Sequence, residues 1–232
     1  MPSMNRLSIF ALLLFLPFPG FPQSSSAGPL GVIVTPPKSV RVPADLRATI
    51  PVKSVVRLVQ STQLTSDGET FVIYERGNEF EPDTHIAVIK NGARAADFSL
   101  VRVFAKEGVG VSYALFQSAQ VSLGPSRKGF IAAFRNIGDG SRTLFVLVTE
   151  TEGKFAVSWQ AVASEAQFQV RQGGAFQLWN ANEDDDCVWC PHHYEVTNFR
   201  WNDESLRKVS HFETKHPLPP SQLSENPIRV IP

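Results

Sequence analysis

A chain of 232 residues with 22 basic and 22 acidic side chains carries no formal net charge. That balance supplies no overall excess of positive charge for a polyanion, so neither nucleic acid nor an anionic membrane surface is an expected partner. Seventeen Phe, four Trp and three Tyr provide the aromatic mass for a packed interior.

In chain order, the first segment reads as an export signal. Met1 to Arg6 carries one positive charge and no acid, Leu7 to Leu16 is a predominantly apolar run, and Pro17 and Pro19 close it. The run is too short to cross a hydrocarbon core, which needs about 20 residues of helix. Small residues at Ser25 and Ala27 place the expected cut before Gly28, giving a signal peptide over 1–27 and no membrane span after its removal. The mature product is expected outside the cytoplasm, secreted or periplasmic.

Residues 28–51 contain Pro29, Pro36, Pro37, Pro43 and Pro51 and read as an extended arm, because prolines at that spacing oppose both helix and central strand. A second Pro-rich stretch, 216–232, reads as a polyproline-like tail. The folded body is expected over 52–215. Ser54 to Gln63 is its one helical pattern, with Val55, Leu58 and Val59 on one side. Short β-branched or aromatic runs then follow: Thr70–Glu75, His85–Lys90, Phe98–Phe104, Val111–Phe116 and Gly129–Arg135. Asn91-Gly92 between two of them predicts a hairpin with a type I′ turn. Later runs alternate, with Phe155, Val157 and Trp159 on one face, as are Phe168 with Val170, Phe176 with Leu178, and Tyr194 with Val196. From Val196 to Phe199 and Trp201 the alternation slips, which predicts a bulge near Thr197-Asn198. The fold class is antiparallel all-β, a sandwich or a small propeller or barrel-like domain with extended Pro-rich termini.

Two segments echo one another: Thr65-Ser-Asp-Gly-Glu-Thr-Phe-Val-Ile-Tyr and Ile137-Gly-Asp-Gly-Ser-Arg-Thr-Leu-Phe-Val-Leu both set Asp-Gly ahead of a hydrophobic strand. With Asn136 in front, the second resembles the calcium-loop-then-strand unit of FG-GAP/VCBS-type repeats in secreted β-propeller proteins. The resemblance implies repeated β units and a calcium loop at Asn136 and Asp139. The further acidic ligands of an Asp-x-Asp-x-Asp-Gly loop are missing, and calcium takes six to eight oxygens, so calcium is not expected there.

The densest chemistry lies in Glu183-Asp-Asp-Asp-Cys-Val-Trp-Cys-Pro-His-His-Tyr-Glu195, which holds both cysteines and two of the five histidines. In an oxidising compartment Cys187 and Cys190 form a small-ring disulfide that staples a loop. Zinc is the alternative, with Cys187, Cys190, His192 or His193, and Asp184 or Asp186 as ligands. Thiol exchange is a third reading, opposed by the neighbouring carboxylates, which raise a thiol pKa. Covalent haem attachment is set aside, because Pro191 stands where the histidine would have to follow. Glu79, Glu81 and Asp83, at spacing two ahead of His85, make a second acidic segment that could hold a divalent ion or act as an acid/base pair. No Gly-x-Ser-x-Gly, His-Glu-x-x-His or phosphate loop occurs. Trp159 and Trp201 read as core, while Trp179 and Trp189, flanked by polar residues, read as surface rings for a ligand, with His193 beside them. The expected function is an exported, non-catalytic binding or structural module with a Cys-x-x-Cys-stapled loop and no cofactor, facing a glycan or an extracytoplasmic protein. The alternative is an extracytoplasmic metal-dependent or thiol-redox enzyme centred on Cys187, Cys190, His192 and His193.

Overall fold

The computed structural model describes residues 33–37, 39–78, 81–110, 112–138, 142–171, 174–182, 190–219, 223 and 225–231. The signal segment, Glu79, Asp139 and the 183–189 stretch lie outside them. Three sheets stack face to face. The first is an antiparallel meander of β2 (Val55–Thr62), β3 (Glu69–Arg76), β4 (Asp83–Lys90) and β5 (Ala93–Ser99). A short helix α2 (Leu100–Val103) and a 3-10 turn lead into the central meander, β6 (Tyr113–Ser122), β7 (Lys128–Asn136), β8 (Arg142–Thr151) and β9 (Lys154–Ser164). The third comprises β10 (Gln167–Arg171), β11 (Ala175–Ala181), β12 (Tyr194–Trp201) and β13 (Leu206–Glu213). The architecture is the expected all-β class, in the form of layered sheets without a closed barrel.

The central sheet is dry on both sides. Phe130, Ala132 and Phe134 with Leu144, Val146 and Val148 meet Phe71, Ile73, Ile86 and Val88 of the first sheet. The intervening residues Ile131, Ala133, Phe145 and Leu147 meet Phe168, Val170, Phe176 and Leu178 of the third. This is why β7 and β8 read as unbroken apolar runs: both pleat directions face a core. Phe71 stacks on Phe130 with ring centroids 3.9 Å apart.

The hairpin at Asn91-Gly92 is present, with φ of 52° and 73°, the left-handed pair a type I′ turn requires. Glu152-Gly153 makes the same turn between β8 and β9 without an Asn or Asp to announce it.

Several expectations are corrected. Ser54 to Gln63 is not helical but holds strand β2, where a bulge at Arg57 breaks strict alternation and mimics helical spacing. Phe98 to Phe104 is not one strand, since β5 ends at Ser99 and α2 begins. A register shift at Ser158 turns Trp159 away from Phe155 and Val157, so it packs in the opposite core. On β12 the alternation does not slip: Tyr194 and Val196 face outward under the C-terminal segment, Phe199 and Trp201 face the central sheet, and the extra residue of the bulge is Val209 on β13.

The termini also belong to the fold. β1 (Ile33–Val34) pairs with β6, and α1 (Ala44–Arg47) with Ile50 covers Val72, Tyr74, Ala87 and Ile89 on the outer face of the first sheet. β14 (Ile228–Ile231) runs parallel beside β10, with Ile228 in the core, while Leu218 and Leu223 cover Tyr194 and Val196. The folded unit therefore extends beyond 52–215 at both ends, because apolar residues between the prolines find sheet edges and faces. Ending the chain after Pro217 should lower stability by about 3 kcal/mol or more, read as a large drop in Tm; an unchanged Tm would show that β14 does not hold the sheet.

Candidate functional site

Connections divide unevenly in length between the two ends of the stack. One end has the connections 63–68, 91–92, 123–127, 152–153, 172–174 and 202–205; the other has 77–82, 137–141, 165–166 and the three longest, 100–112, 182–193 and 214–227. Chemistry gathers at this long-loop end, where β6 and β8 start and β7 and β9 finish.

The centre of it is the two-residue crossing from β9 to β10, Glu165-Ala166. Sheets pack about 10 Å apart, and three extended peptide steps barely span that. The crossing is correspondingly tight: Ala166 is buried, Glu165 takes a left-handed φ of 43°, and Ser164 N donates to Asn180 Oδ1 at 2.7 Å. Glu165 is thereby fixed with its carboxylate inward, 12% exposed, Oε2 3.9 Å from His192 Nε2. Burial pushes its carboxyl above the ordinary range, against the opposing charges of His192 and Arg135. Arg135, whose guanidinium lies over the Phe116 ring at 3.9 Å, is pushed down by burial, with Glu165 opposing. Burial, then the Glu165 charge, push the Tyr194 hydroxyl up to about 12. Glu165 Oε2, Tyr194 OH and Trp179 Nε1 are all buried and form no hydrogen bond. Buried polar atoms without a hydrogen bond are costly, and the charges of His192 and Arg135 offset part of that cost at Glu165.

The segment carrying the histidines is strapped down beside it. His192 and Leu218 exchange backbone hydrogen bonds of 2.9 and 2.8 Å, His193 Nδ1 donates to Thr214 O at 2.8 Å, and Tyr194 N donates to Thr214 Oγ1 at 3.0 Å. His192 and His193 are thus separately engaged. Trp179 is half-buried, its ring tilted against Tyr194 at 6.4 Å, and is not the open surface ring the sequence suggested. Trp189, Cys187 and Asp186, and with them the Cys187–Cys190 pair and the zinc set, lie outside the described residues. Among the described residues no cysteine is free, and no three His, Cys, Asp or Glu side chains form a metal-holding group.

Beside this crossing, Asn136, Arg142, Ser164, Asn180, Glu107 and Tyr113 line a recess of about 430 Å³. On the first sheet, at the same end, His85 sets Nδ1 2.9 Å from Asp97 Oδ1 and Nε2 3.1 Å from Asp83 Oδ2. Tyr74 OH donates to Asp97 Oδ2 at 2.6 Å and Ser99 Oγ to Asp83 Oδ1 at 2.9 Å. Burial alone would raise the Asp97 carboxyl, but hydrogen bonds from His85 and Tyr74 and the charges of His85 and Arg94 hold it below the usual carboxylate range. Arg94 also donates to Asp97 and to Thr49 O, so the network fastens the N-terminal arm. Asp83 is therefore committed to a structural network, while Glu79 lies outside the described residues. Glu165 and Arg135 were missed in sequence because neither sits in a motif; the only cue was a short Ser-Glu-Ala break between two strand runs.

A carboxyl whose pKa is raised by folding binds its proton more tightly in the folded state, so its contribution to stability is greatest at low pH and is lost as pH rises past the ordinary Glu range near 4.5. Thermal melts from acid to neutral pH should show Glu165→Gln gaining stability relative to the parent as pH rises; a parallel offset at every pH would remove Glu165 as the titrating group.

No protein-family model matches the chain, and neither a curated protein nor a solved structure matches it.

Proposed function

We propose that this is an exported, non-catalytic recognition domain that binds a glycan or an extracytoplasmic protein at its long-loop end. Cys187 and Cys190 close as a disulfide that stiffens the 182–193 connection, and Trp189 between them offers an aromatic contact. The observation that carries this reading is the recess of about 430 Å³ lined by Glu107, Tyr113, Asn136, Arg142, Ser164 and Asn180, next in the chain to the Glu165-Ala166 crossing. Polar side chains on connections held by a rigid scaffold are the usual makings of a binding surface.

The rival reading, a metal-dependent or thiol enzyme on Cys187, Cys190, His192 and His193, draws on the nearness of Glu165 to His192. Thiol titration with metal analysis on protein recovered from the exported compartment separates the two. No reactive thiol and no metal is expected; stoichiometric zinc with two reactive thiols would establish the rival. Replacing both cysteines with Ala should cost about 1–3 kcal/mol in chemical denaturation. On a glycan and surface-protein array, Arg142→Ala should weaken whatever binding the parent shows by about tenfold with an unchanged Tm; full retention would move the site elsewhere.

A further inference from the structure

The third sheet's outer face carries a second, independent site. Residues directly opposite one another across a sheet share a face, so the strand registers can be read as rows running across it. Arg171 of β10, Ala175 of β11, Arg200 of β12 and Arg207 of β13 form one such row. The next row towards the long-loop end is Arg229 of β14, Gln169, Gln177, Asn198 and Ser210. That these point outward follows from their neighbours: Phe168, Val170, Phe176, Phe199, Trp201, Leu206 and Ile228 take the alternate positions in the core. All four arginines are exposed.

Arg200 and Arg207 face each other directly, an arrangement that like charges disfavour. Among the described residues none of the four arginines forms an ion pair with an acid; Asp203 and Glu204, in the turn between Arg200 and Arg207, are exposed and pair with neither. The amide row is prearranged. Gln177 Nε2 donates to Asn198 Oδ1 at 2.7 Å, Asn198 Nδ2 donates to Ser210 Oγ at 3.0 Å, and Gln177 Oε1 is buried and accepts no hydrogen bond. Phe212, 48% exposed, stands one row further on.

We propose that this face binds an acidic polysaccharide, its carboxylate or sulfate groups on Arg171, Arg200, Arg207 and Arg229 and its hydroxyls along Gln177, Asn198 and Ser210. Guanidinium groups are suited to paired hydrogen bonds with such anions, and a flat row of fixed amides matches a run of ring hydroxyls. Single-stranded nucleic acid calls for aromatic rings interleaved with the cations, and the arginine row has none. A membrane surface calls for several apolar side chains at the same level, where Phe212 stands alone.

The test uses the mature chain and four immobilised or suspended probes: polygalacturonate, poly-glutamate, single-stranded DNA and phosphatidylglycerol vesicles. Polygalacturonate should bind at least about tenfold more tightly than poly-glutamate, which offers the same anion without hydroxyls, and should weaken as salt rises. The double variant Arg200→Ser, Arg207→Ser should lose about tenfold or more in affinity for polygalacturonate; Asn198→Ala should erase the preference over poly-glutamate. Each variant is checked for an unchanged Tm, and Arg171→Ser serves as the second charge variant if the pair disturbs the sheet. No retention on polygalacturonate, equal binding to poly-glutamate, tighter binding to DNA or vesicles, or full retention by well-folded arginine variants would each overturn the proposal. The outcome is separate from the long-loop reading, because Arg142→Ala should leave polygalacturonate binding unchanged.

Discussion

The structure depends on one sheet being apolar in both pleat directions. A strand that alternates dry and wet can serve only an outer layer, whereas β7 and β8 present Phe130, Phe134, Val146 and Val148 to one neighbour and Ile131, Phe145 and Leu147 to the other. Both interfaces are sealed by rings: Phe71 on Phe130 at 3.9 Å, and Phe168 near Phe145 at 6.0 Å and Trp159 at 5.0 Å. Burial of this kind stabilises in proportion to the apolar area removed from water, and here a single set of strands serves two cores. Ala132 and Ala133 in the middle of β7 are buried in opposite cores.

The two-sided layer also decides where chemistry accumulates. Each meander has four strands, an even number, so the chain returns to the end from which it entered. Both crossings between layers, 100–112 and 165–166, therefore fall at the same end. A crossing must bridge about 10 Å between sheets while an in-sheet turn bridges about 5 Å, and both crossings lie opposite the tight turns 91–92 and 152–153. Glu165 is the sharpest case, a left-handed backbone at the shortest crossing, with its carboxylate held among His192, Arg135 and Tyr194. Buried polar atoms without a hydrogen bond are rare in folded proteins.

What the sequence disclosed, and what it withheld, follows from the same geometry. Strand runs, the Asn91-Gly92 turn and the all-β class were legible because they rest on local preferences. Trp159 and Arg57 misled because a bulge shifts the face of everything beyond it, and one extra residue leaves no compositional trace. Tyr194, Val196, Phe199 and Trp201 suggested a slip because one-sided burial was assumed, when both faces of β12 are covered. The Asp-Gly echo sits before β3 in one copy and before β8 in the other, the second strand of its meander in one case and the third in the other. At the site, His192 and His193 were conspicuous by residue type, but Glu165 and Arg135 come together only when β7 and the β9 to β10 crossing meet, and no spacing along the chain records that.

Covering segments explain why charge could collect on one face of a chain with none in sum. The outer side of the first sheet is taken by Leu46 and Ile50 of the N-terminal arm, and the long-loop half of the third sheet by Leu218 and Leu223. The remaining half of the third sheet has no cover among the described residues, so the outward positions of β10, β12, β13 and β14 were free to take arginine. The adjoining edge strand is blunted rather than sticky: β13 is exposed from Arg207 to Glu213, but it carries Arg207, Lys208 and Glu213 and is broken by the bulge at Val209. Charges and bulges on an edge oppose strand addition. Among the described residues, exposed arginines and the Gln177, Asn198 and Ser210 side chains thus make up that half of the face, beside an edge that opposes further strands.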